Sequence, residues 1–283
     1  MRPKPGLDLS RNRRMPRAAV NGINLYYKVH GKGEPLVLIA GMGADHRSWF
    51  SQIGPFGKYH TVITFDTRGI GRSDRPAGLY SLKTLADDVV GLMDSLDIQK
   101  AHILGESFGS LAAQEIAIAF PEKVGKLVLA SGTVGAGVEH EVHPELMKAF
   151  GSGDSTTGVD MANVDIAKAM KAIISLSFNN WFYRTAMLFM SRFYMKPSEF
   201  KGMVEQLKVI STYSTLNRLH LIKSPTLVIT GTKDKIVPPS MSDLLASGIS
   251  GAKLVKIDGG SHSVRVEKKK RFNSEVLDFL ASA

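Results

Sequence analysis

Short apolar segments alternate with amphipathic segments along most of the chain. Leu36–Ala40 and Thr61–Phe65 are continuously apolar and have the length of buried strands. Ser81–Leu96 instead repeats apolar residues at helical spacing, which predicts an amphipathic helix. The same patterns predict strands at Ile23–Val29, Ala101–Leu104, Lys126–Ala130, Thr226–Thr230 and Leu254–Ile257, and a helix at Phe108–Phe120. This alternation predicts an α/β fold, a mostly parallel sheet with helices on both faces.

The alternation stops at residues 133–221, where the sequence predicts helices and loops without a buried strand. A segment of this kind between two core strands is expected to cover the carboxyl edge of the sheet, where open α/β sheets bind ligands. We therefore expect a core made of residues 16–132 and 222–283, with residues 133–221 as a helical cap. Residues 1–15 lack periodicity and are expected to form a flexible basic tail.

Composition and charge narrow the class of protein. The 283 residues are 43% hydrophobic and contain no cysteine, which excludes disulfides, thiolate metal sites and cysteine nucleophiles. No secretory leader pattern and no bilayer-length apolar segment is visible, so we expect a cytoplasmic protein without membrane insertion. The net charge of +10 includes +4 from residues 1–14 and a second basic cluster at residues 268–271. Neither resembles a nucleic-acid module, so we expect no nucleic-acid partner, although weak adhesion to acidic surfaces stays open.

The most specific motif is the G-x-S-x-G pattern at residues 105–109. It lies between a predicted strand and a predicted helix, the context of a nucleophile elbow, in which a sharp turn lifts a serine hydroxyl clear of the sheet. Glycines at both ends avoid Cβ clashes in such a turn, and the helix amino terminus favours negative charge on a reacting oxygen. Ser107 is therefore the candidate nucleophile. The alternative is a glycine-rich structural turn.

A serine nucleophile needs a base, and the base needs an orienting carboxylate. Among the eight histidines, only His262 lies just after the last predicted strand. Asp234 follows the strand Thr226–Thr230, again at a carboxyl end. The order Ser, Asp, His along the chain is that of α/β-hydrolases. Asp258 is the alternative carboxylate.

Acyl transfer also needs donors for an oxyanion. Gly41-Met42-Gly43 follows the strand Leu36–Ala40, and we assign the backbone N–H groups of Met42 and Phe108 to an oxyanion hole. The side chain of Met42 is then free to line the pocket.

No metal or cofactor is expected. His140-Glu141-Val142-His143 resembles a metal motif, but a zinc-binding helix needs histidines four residues apart, and Pro144 disfavours helical continuation.

The predicted cap is rich in large apolar residues. We expect most of them to pack the cap on the core and some to roof an apolar substrate pocket. They are Phe178, Trp181, Phe182, Tyr183, Met187, Phe189, Met190, Phe193, Tyr194 and Met195.

From about Ala18 to Phe279 the chain resembles the capped α/β-hydrolase superfamily of esterases, lactonases and carbon–carbon hydrolases, and most closely its enol-lactonase and small-ester branch. The resemblance implies a mostly parallel eight-stranded sheet flanked by helices, with a helical cap insertion. It also implies that residues 66–73 form a structural loop without a chemical role. Ala40 stands where the family usually has a mainly structural histidine, and Ser110 where a second glycine is common. The segments that carry this resemblance to the superfamily are GINLYYKVHGKGEPLVLIAGMGADHRSW, TFDTRGIGRSDRP, AHILGESFGSLAAQEIAIAFPEKVGKLVLAS, PTLVITGTKDKIVPP and IDGGSHSV.

These features predict a serine hydrolase that cleaves small carboxylic esters. A lactone or a vinylogous carbon–carbon substrate is the alternative, because cap shape rather than the triad separates these reactions. Dehalogenases and epoxide hydrolases of this fold use an aspartate nucleophile. Because this chain has Ser107 at that position, we expect neither of these two activities. A non-catalytic binding protein on the same fold is a further alternative, and such proteins commonly lack part of the triad. The sequence leaves the physiological substrate and the oligomeric state open.

Overall fold

The computed structural model describes residues 16–78, 80–138, 143–150, 165–194 and 197–282. Within these ranges, eight strands form one sheet. They are β1 (Arg17–Val20), β2 (Ile23–His30), β3 (Glu34–Ile39), β4 (His60–Phe65), β5 (Ala101–Glu106), β6 (Val124–Ala130), β7 (Thr226–Gly231) and β8 (Lys253–Ile257). Their order across the sheet is β1-β2-β4-β3-β5-β6-β7-β8.

The sheet is parallel from β4 to β8 and antiparallel at the β1–β2 edge. This confirms the predicted α/β fold with a mostly parallel sheet. The pattern did not reveal β1, which has only four residues with alternating burial. It also ended β5 two residues early, whereas the strand continues to Glu106 and so leads directly into Ser107.

Helices cover both faces of the sheet because alternate side chains of each central strand point to opposite faces. In β3, Val37 and Ile39 belong to one buried cluster, and Leu36 and Leu38 belong to the other. The first cluster includes side chains of α2 (Leu82–Ser95), α3 (Phe108–Ala119) and α8 (Pro239–Gly248). The second includes side chains of α1 (Phe50–Phe56), α9 (Val264–Glu267) and α10 (Lys269–Ala281).

The predicted helical insertion is also present. The described residues between β6 and β7 form α4 (Pro144–Phe150), α5 (Ile166–Ser177), α6 (Trp181–Tyr194) and α7 (Pro197–Thr212), with a short bridge between Gly135 and Ser214. Short 3₁₀ segments lie at His46–Trp49, Pro121–Lys123 and Leu216–Leu221. Among the described helices, none is both long and apolar enough to cross a membrane. The predicted tail at residues 1–15 lies outside the described residues.

Candidate active site

Ser107 lies on a sharp turn between β5 and α3. Its backbone has φ +53° and ψ −119°, which a non-glycine residue rarely adopts and which stores strain. A Cβ on Gly105 would come within 2.2 Å of the carbonyl oxygen of Gly109, and a Cβ on Gly109 within 2.3 Å of that of Ile39. Both glycines of the motif are therefore required by close backbone contacts.

Ser110, which stands where the family commonly has glycine, fits the elbow without disturbing it. Its hydroxyl is buried and donates a 2.6 Å hydrogen bond to the carbonyl oxygen of Ser107. It also accepts a longer hydrogen bond of 3.3 Å from the N–H of Thr133. The substitution therefore adds polar contacts beneath the strained turn.

Ser107, His262 and Asp234 lie in a continuous chain of contacts. The Nε2 atom of His262 is 3.0 Å from Oγ of Ser107, and its Nδ1 atom is 2.8 Å from Oδ2 of Asp234. The second carboxylate oxygen of Asp234 accepts hydrogen bonds of 2.9 Å from the N–H groups of Ile236 and Val237. These bonds orient the carboxylate toward the histidine.

Asp258, the alternative carboxylate, has another role. It is exposed, and one of its oxygens accepts a hydrogen bond of 3.3 Å from Oγ1 of Thr232. Thr232 in turn accepts a bond from the N–H of Gly259. Asp258 thus shapes the loop that leads to His262, while Asp234 is the aspartate that contacts the histidine.

Opposing effects act on the pKa of the buried His262. Burial is the largest effect and lowers it, because the charged imidazolium loses hydration. The charge and hydrogen bond of Asp234 raise it, as does the more distant charge of Glu106, while Arg265 lowers it. The net result is a pKa above the ordinary value of 6.5 for histidine.

The loop after β3 brings the proposed oxyanion-hole residue Met42 beside the elbow. Gly41 and Ala44 close a turn through a 3.1 Å backbone hydrogen bond, and Gly43 has φ +69°. A Cβ on Gly41 would lie 3.4 Å from Cβ of Ser107, so this loop lies directly against Ser107. Phe108 is the first residue of α3, so its N–H lies in the first turn, where helical N–H groups lack intrahelical partners.

The insertion contributes side chains that the sequence did not single out. Gln206 of α7 is buried, and its Oε1 atom accepts a 2.9 Å hydrogen bond from the N–H of Gly43. The side chain of Met203 lies 3.0 Å from the Cβ position at Gly43, and that of Met170 lies 3.9 Å from it. Gly43 and Gln206 are 163 residues apart, so no local pattern could have indicated this contact.

The residues predicted to roof a pocket differ in exposure where the structure describes their side chains, and Phe189 and Met190 are 59% and 41% exposed. The side chains of Phe193 and Tyr194 are not described, and Met195 lies outside the described residues. Phe178 is buried, whereas Trp181 and Phe182 at the start of α6 are 68% and 61% exposed. Trp181 and Phe182 therefore do not line an enclosed cavity. In the suggested metal motif, residues 140–142 lie outside the described residues.

One group of potential metal ligands among the described residues, Asp45, His46 and Asp66, lies near residues 41–44, the proposed oxyanion loop. Asp66 accepts hydrogen bonds of 2.8 Å from the N–H groups of His46 and Arg72, and Nδ1 of His46 lies 2.6 Å from it. Asp45 contacts the guanidinium of Arg47. These donors already occupy the carboxylates, and we assign the group to bracing the loops after β3 and β4.

A mostly parallel sheet with its strand-to-helix turn at a serine defines the class of α/β hydrolases, and comparison with known proteins agrees. The model of the family described as alpha/beta hydrolase fold matches residues 34–269. The chain belongs to this family and is a hydrolase of the α/β fold.

Individual relatives differ in the substrates that their names state. A protein of Azorhizobium caulinodans named "Putative carbamate hydrolase RutD" is 30% identical over 94% of this chain and 98% of its own. The 2-hydroxy-6-oxo-6-phenylhexa-2,4-dienoate hydrolase of Comamonas testosteroni is 29% identical over 90% and 91%. The crystal structure of an enol-lactonase from Burkholderia xenovorans has a TM-score of 0.82 and 28% identity, covering 94% of this chain and all of that one.

Proposed function

We propose that this protein is a serine hydrolase that cleaves small carboxylic esters through an acyl-enzyme on Ser107. The observation that supports this most directly is the unbroken line of contacts from Asp234 through His262 to Ser107, with separations of 2.8 and 3.0 Å. In a non-catalytic binding protein, nothing would require a strained serine within hydrogen-bonding distance of a histidine that is itself oriented by a carboxylate.

The proposed reaction has two steps. His262 Nε2 takes the hydroxyl proton of Ser107 as Oγ attacks the carbonyl carbon, and the N–H groups of Met42 and Phe108 hold the resulting oxyanion. The tetrahedral intermediate collapses, and the leaving alcohol takes the proton from His262. Water then attacks the acyl-enzyme, again with His262 as base, and releases the carboxylic acid and free Ser107. Asp234 stabilises the imidazolium that forms in each step.

A lactone is the second candidate substrate, because the fold is similar to that of an enol-lactonase with a TM-score of 0.82. A lactone is a cyclic ester, so the same attack by Ser107 would open the ring, and the alcohol would stay on the acyl chain. The names of other relatives extend the substrate panel to carbamates and to carbon–carbon cleavage.

We also propose that residues 133–221 act as a cap that limits substrate size. Support comes from Met203 of α7 and Met170 of α5, whose side chains approach the oxyanion loop at Gly43. Each methylene buried against such apolar groups adds about 0.8 kcal/mol until the pocket is full. The kcat/KM for nitrophenyl esters should therefore peak at short to medium acyl chains, and a continuous rise to palmitate would contradict a closed pocket.

The proposed function is tested by combining a fluorophosphonate probe with a substrate panel of nitrophenyl esters, lactones and aryl carbamates. The probe should label the wild-type protein stoichiometrically, and Ser107→Ala should abolish both labelling and hydrolysis of every substrate that the wild type accepts. Ser247→Ala, at an exposed serine of α8, is the matched control and should behave as the wild type. Persistent labelling of Ser107→Ala would rule out Ser107 as the nucleophile.

A further inference from the structure

A buried ion pair that the proposed reaction does not use lies beside the triad. Nε of Arg265 in α9 is 2.6 Å from Oε1 of Glu106, the last residue of β5. Both side chains are only 8% exposed. Burying two charges removes their hydration at a large cost, and well-packed apolar residues would often serve stability as well or better. Stability alone therefore gives no reason for this pair.

The arginine is held from several directions. Its guanidinium stacks over the ring of Trp49 at 4.6 Å, and Nη1 donates a 2.5 Å hydrogen bond to the carbonyl oxygen of Ser48. Gln52, fully buried in α1, donates a 2.8 Å hydrogen bond to the backbone carbonyl of Arg265 and another to the side chain of Asn273 in α10. Arg265 is consequently a rigid partner for Glu106.

The pair connects segments that supply the proposed catalytic groups. Glu106 directly precedes Ser107, and Arg265 lies three residues after His262. A Cβ on Gly41 would be 3.9 Å from Oε2 of Glu106, which places this carboxylate beside the start of the oxyanion loop. The ion pair therefore joins the strand-to-helix turn at Ser107, the proposed nucleophile elbow, to residues 262–265, here called the histidine segment.

We propose that Glu106 and Arg265 are positioning residues that hold the histidine segment against the elbow and together present almost no net charge to His262. This inference rests on the proposed function and names a further part of the same site. Neither residue touches the substrate in this proposal. They act through His262 and Ser107.

The electrostatic part of this proposal follows from the charges around His262. The charged groups that act on it are Asp234 after β7, Glu106 in β5 and Arg265 in α9. Glu106 raises the pKa of His262 and Arg265 lowers it. Removing one member should therefore shift this pKa in the direction that the remaining charge dictates, and removing both should nearly restore it.

The test compares Glu106→Gln, Arg265→Met and the double variant. The pKa of His262 is measured in each by NMR titration of its imidazole nitrogens, and the acid limb of kcat/KM is measured on a nitrophenyl ester. Glu106→Gln should move the midpoint to lower pH and Arg265→Met to higher pH, with the double variant near the wild type. Shifts of equal sign, or no shift in either single variant, would overturn the electrostatic role.

Positioning is tested separately with Arg265→Lys, which keeps the charge but lacks the planar group that stacks on Trp49. Its midpoint should stay near the wild-type value while kcat falls about tenfold or more, since displacing a catalytic group by about 1 Å can cost a factor of about 100. An unchanged kcat would overturn the positioning role.

Two features keep the experiment decisive. A single variant leaves one buried charge unpaired and can fail to fold, but the double variant leaves none. In the double variant a midpoint shifted far from that of the wild type would contradict the proposal by itself. The NMR titration needs no turnover. It therefore still reports on the ion pair if the protein hydrolyses no ester in the panel and the proposed function is wrong.

Discussion

The side chain of Gln206 in α7 accepts a 2.9 Å hydrogen bond from the backbone N–H of Gly43 in the oxyanion loop. Its amide nitrogen donates a second bond of 3.0 Å to Oγ1 of Thr67, after β4. Close by, the backbones of Gly202 and Gly69 touch, since a Cβ on Gly202 would lie 2.3 Å from the carbonyl oxygen of Gly69. Helix α7 is therefore attached directly to the loop that supplies a proposed oxyanion donor.

Replacing Gln206 by Met should lower kcat about tenfold with a much smaller change in KM. The methionine side chain is similar in size but offers Gly43 only a weak thioether acceptor, so the loop is freer to shift, and an oxyanion donor works only within a few tenths of an ångström of its position. Steady-state kinetics on a nitrophenyl ester measures both constants.

Gln206→Glu is the matched control, because its carboxylate still accepts from Gly43 but no longer donates to Thr67. It should retain more activity than Gln206→Met. If both variants lose stability to the same extent and keep the wild-type kcat, Gln206 only packs the cap against the core.

Asp234→Asn should lower kcat by roughly 10⁴ and leave the fold intact, because the histidine then loses its correct tautomer and the stabilisation of its charged form. Asp258→Asn changes an exposed residue that contacts Thr232, so it should stay within about threefold of the wild type. Kinetics and circular dichroism on both variants provide the check. A larger loss in Asp258→Asn would show that the wrong aspartate has been assigned.

The pH profile of kcat/KM should have an acid limb whose midpoint lies above 6.5. His262 must be neutral to accept the serine proton, and Asp234 raises its pKa above that ordinary value despite burial. The same shift makes protonated His262 stabilising at acid pH, and this contribution disappears as pH rises through the raised pKa. In Asp234→Asn the midpoint should move to lower pH. A midpoint that does not move would show that Asp234 exerts no charge effect on the histidine.

Gly109→Ala should destabilise the protein by about 1–3 kcal/mol, because the added methyl group overpacks a closed site. Its Cβ would lie 2.3 and 2.7 Å from the carbonyl oxygens of Ile39 and Ala40, neither of which can move without disturbing β3. Thermal unfolding measures the loss.

Gly54→Ala is the control for this change, since a Cβ at this position in α1 meets nothing within 4 Å. It should leave Tm close to the wild-type value, because the higher helix propensity of alanine is offset by crowding of its Cβ against the following residue, Pro55. An equal loss of Tm in both variants would attribute the effect to glycine replacement in general rather than to the elbow contact.

Local patterns were sufficient for the parallel strands of the sheet and for the order of the candidate catalytic residues, but not for the short edge strand β1. The strands β3 and β4 are continuous apolar segments, since strands buried on both faces have no polar side. The elbow is a contiguous motif, and its glycines are needed by contacts with the adjacent strand. Asp234 and His262 follow the ends of β7 and β8, and the ends of parallel strands meet at one edge of a sheet. Parallel topology therefore allowed the sequence to predict that the elbow, Asp234 and His262 lie close together in the fold.

Tertiary structure decided what depends on contacts between distant segments. The choice between Asp234 and Asp258 rests on which carboxylate reaches the imidazole, and both follow strand ends in the sequence. In the sequence, Gln206 is one of several polar residues on an amphipathic helix, and only the folded structure shows that it contacts Gly43. Glu106 and Arg265 are 159 positions apart, as the difference between their numbers gives, and no periodicity relates them. No local sequence pattern predicts such pairs, because the contacts depend on how α7, the turn at Ser107 and residues 262–265 pack together at one edge of the sheet.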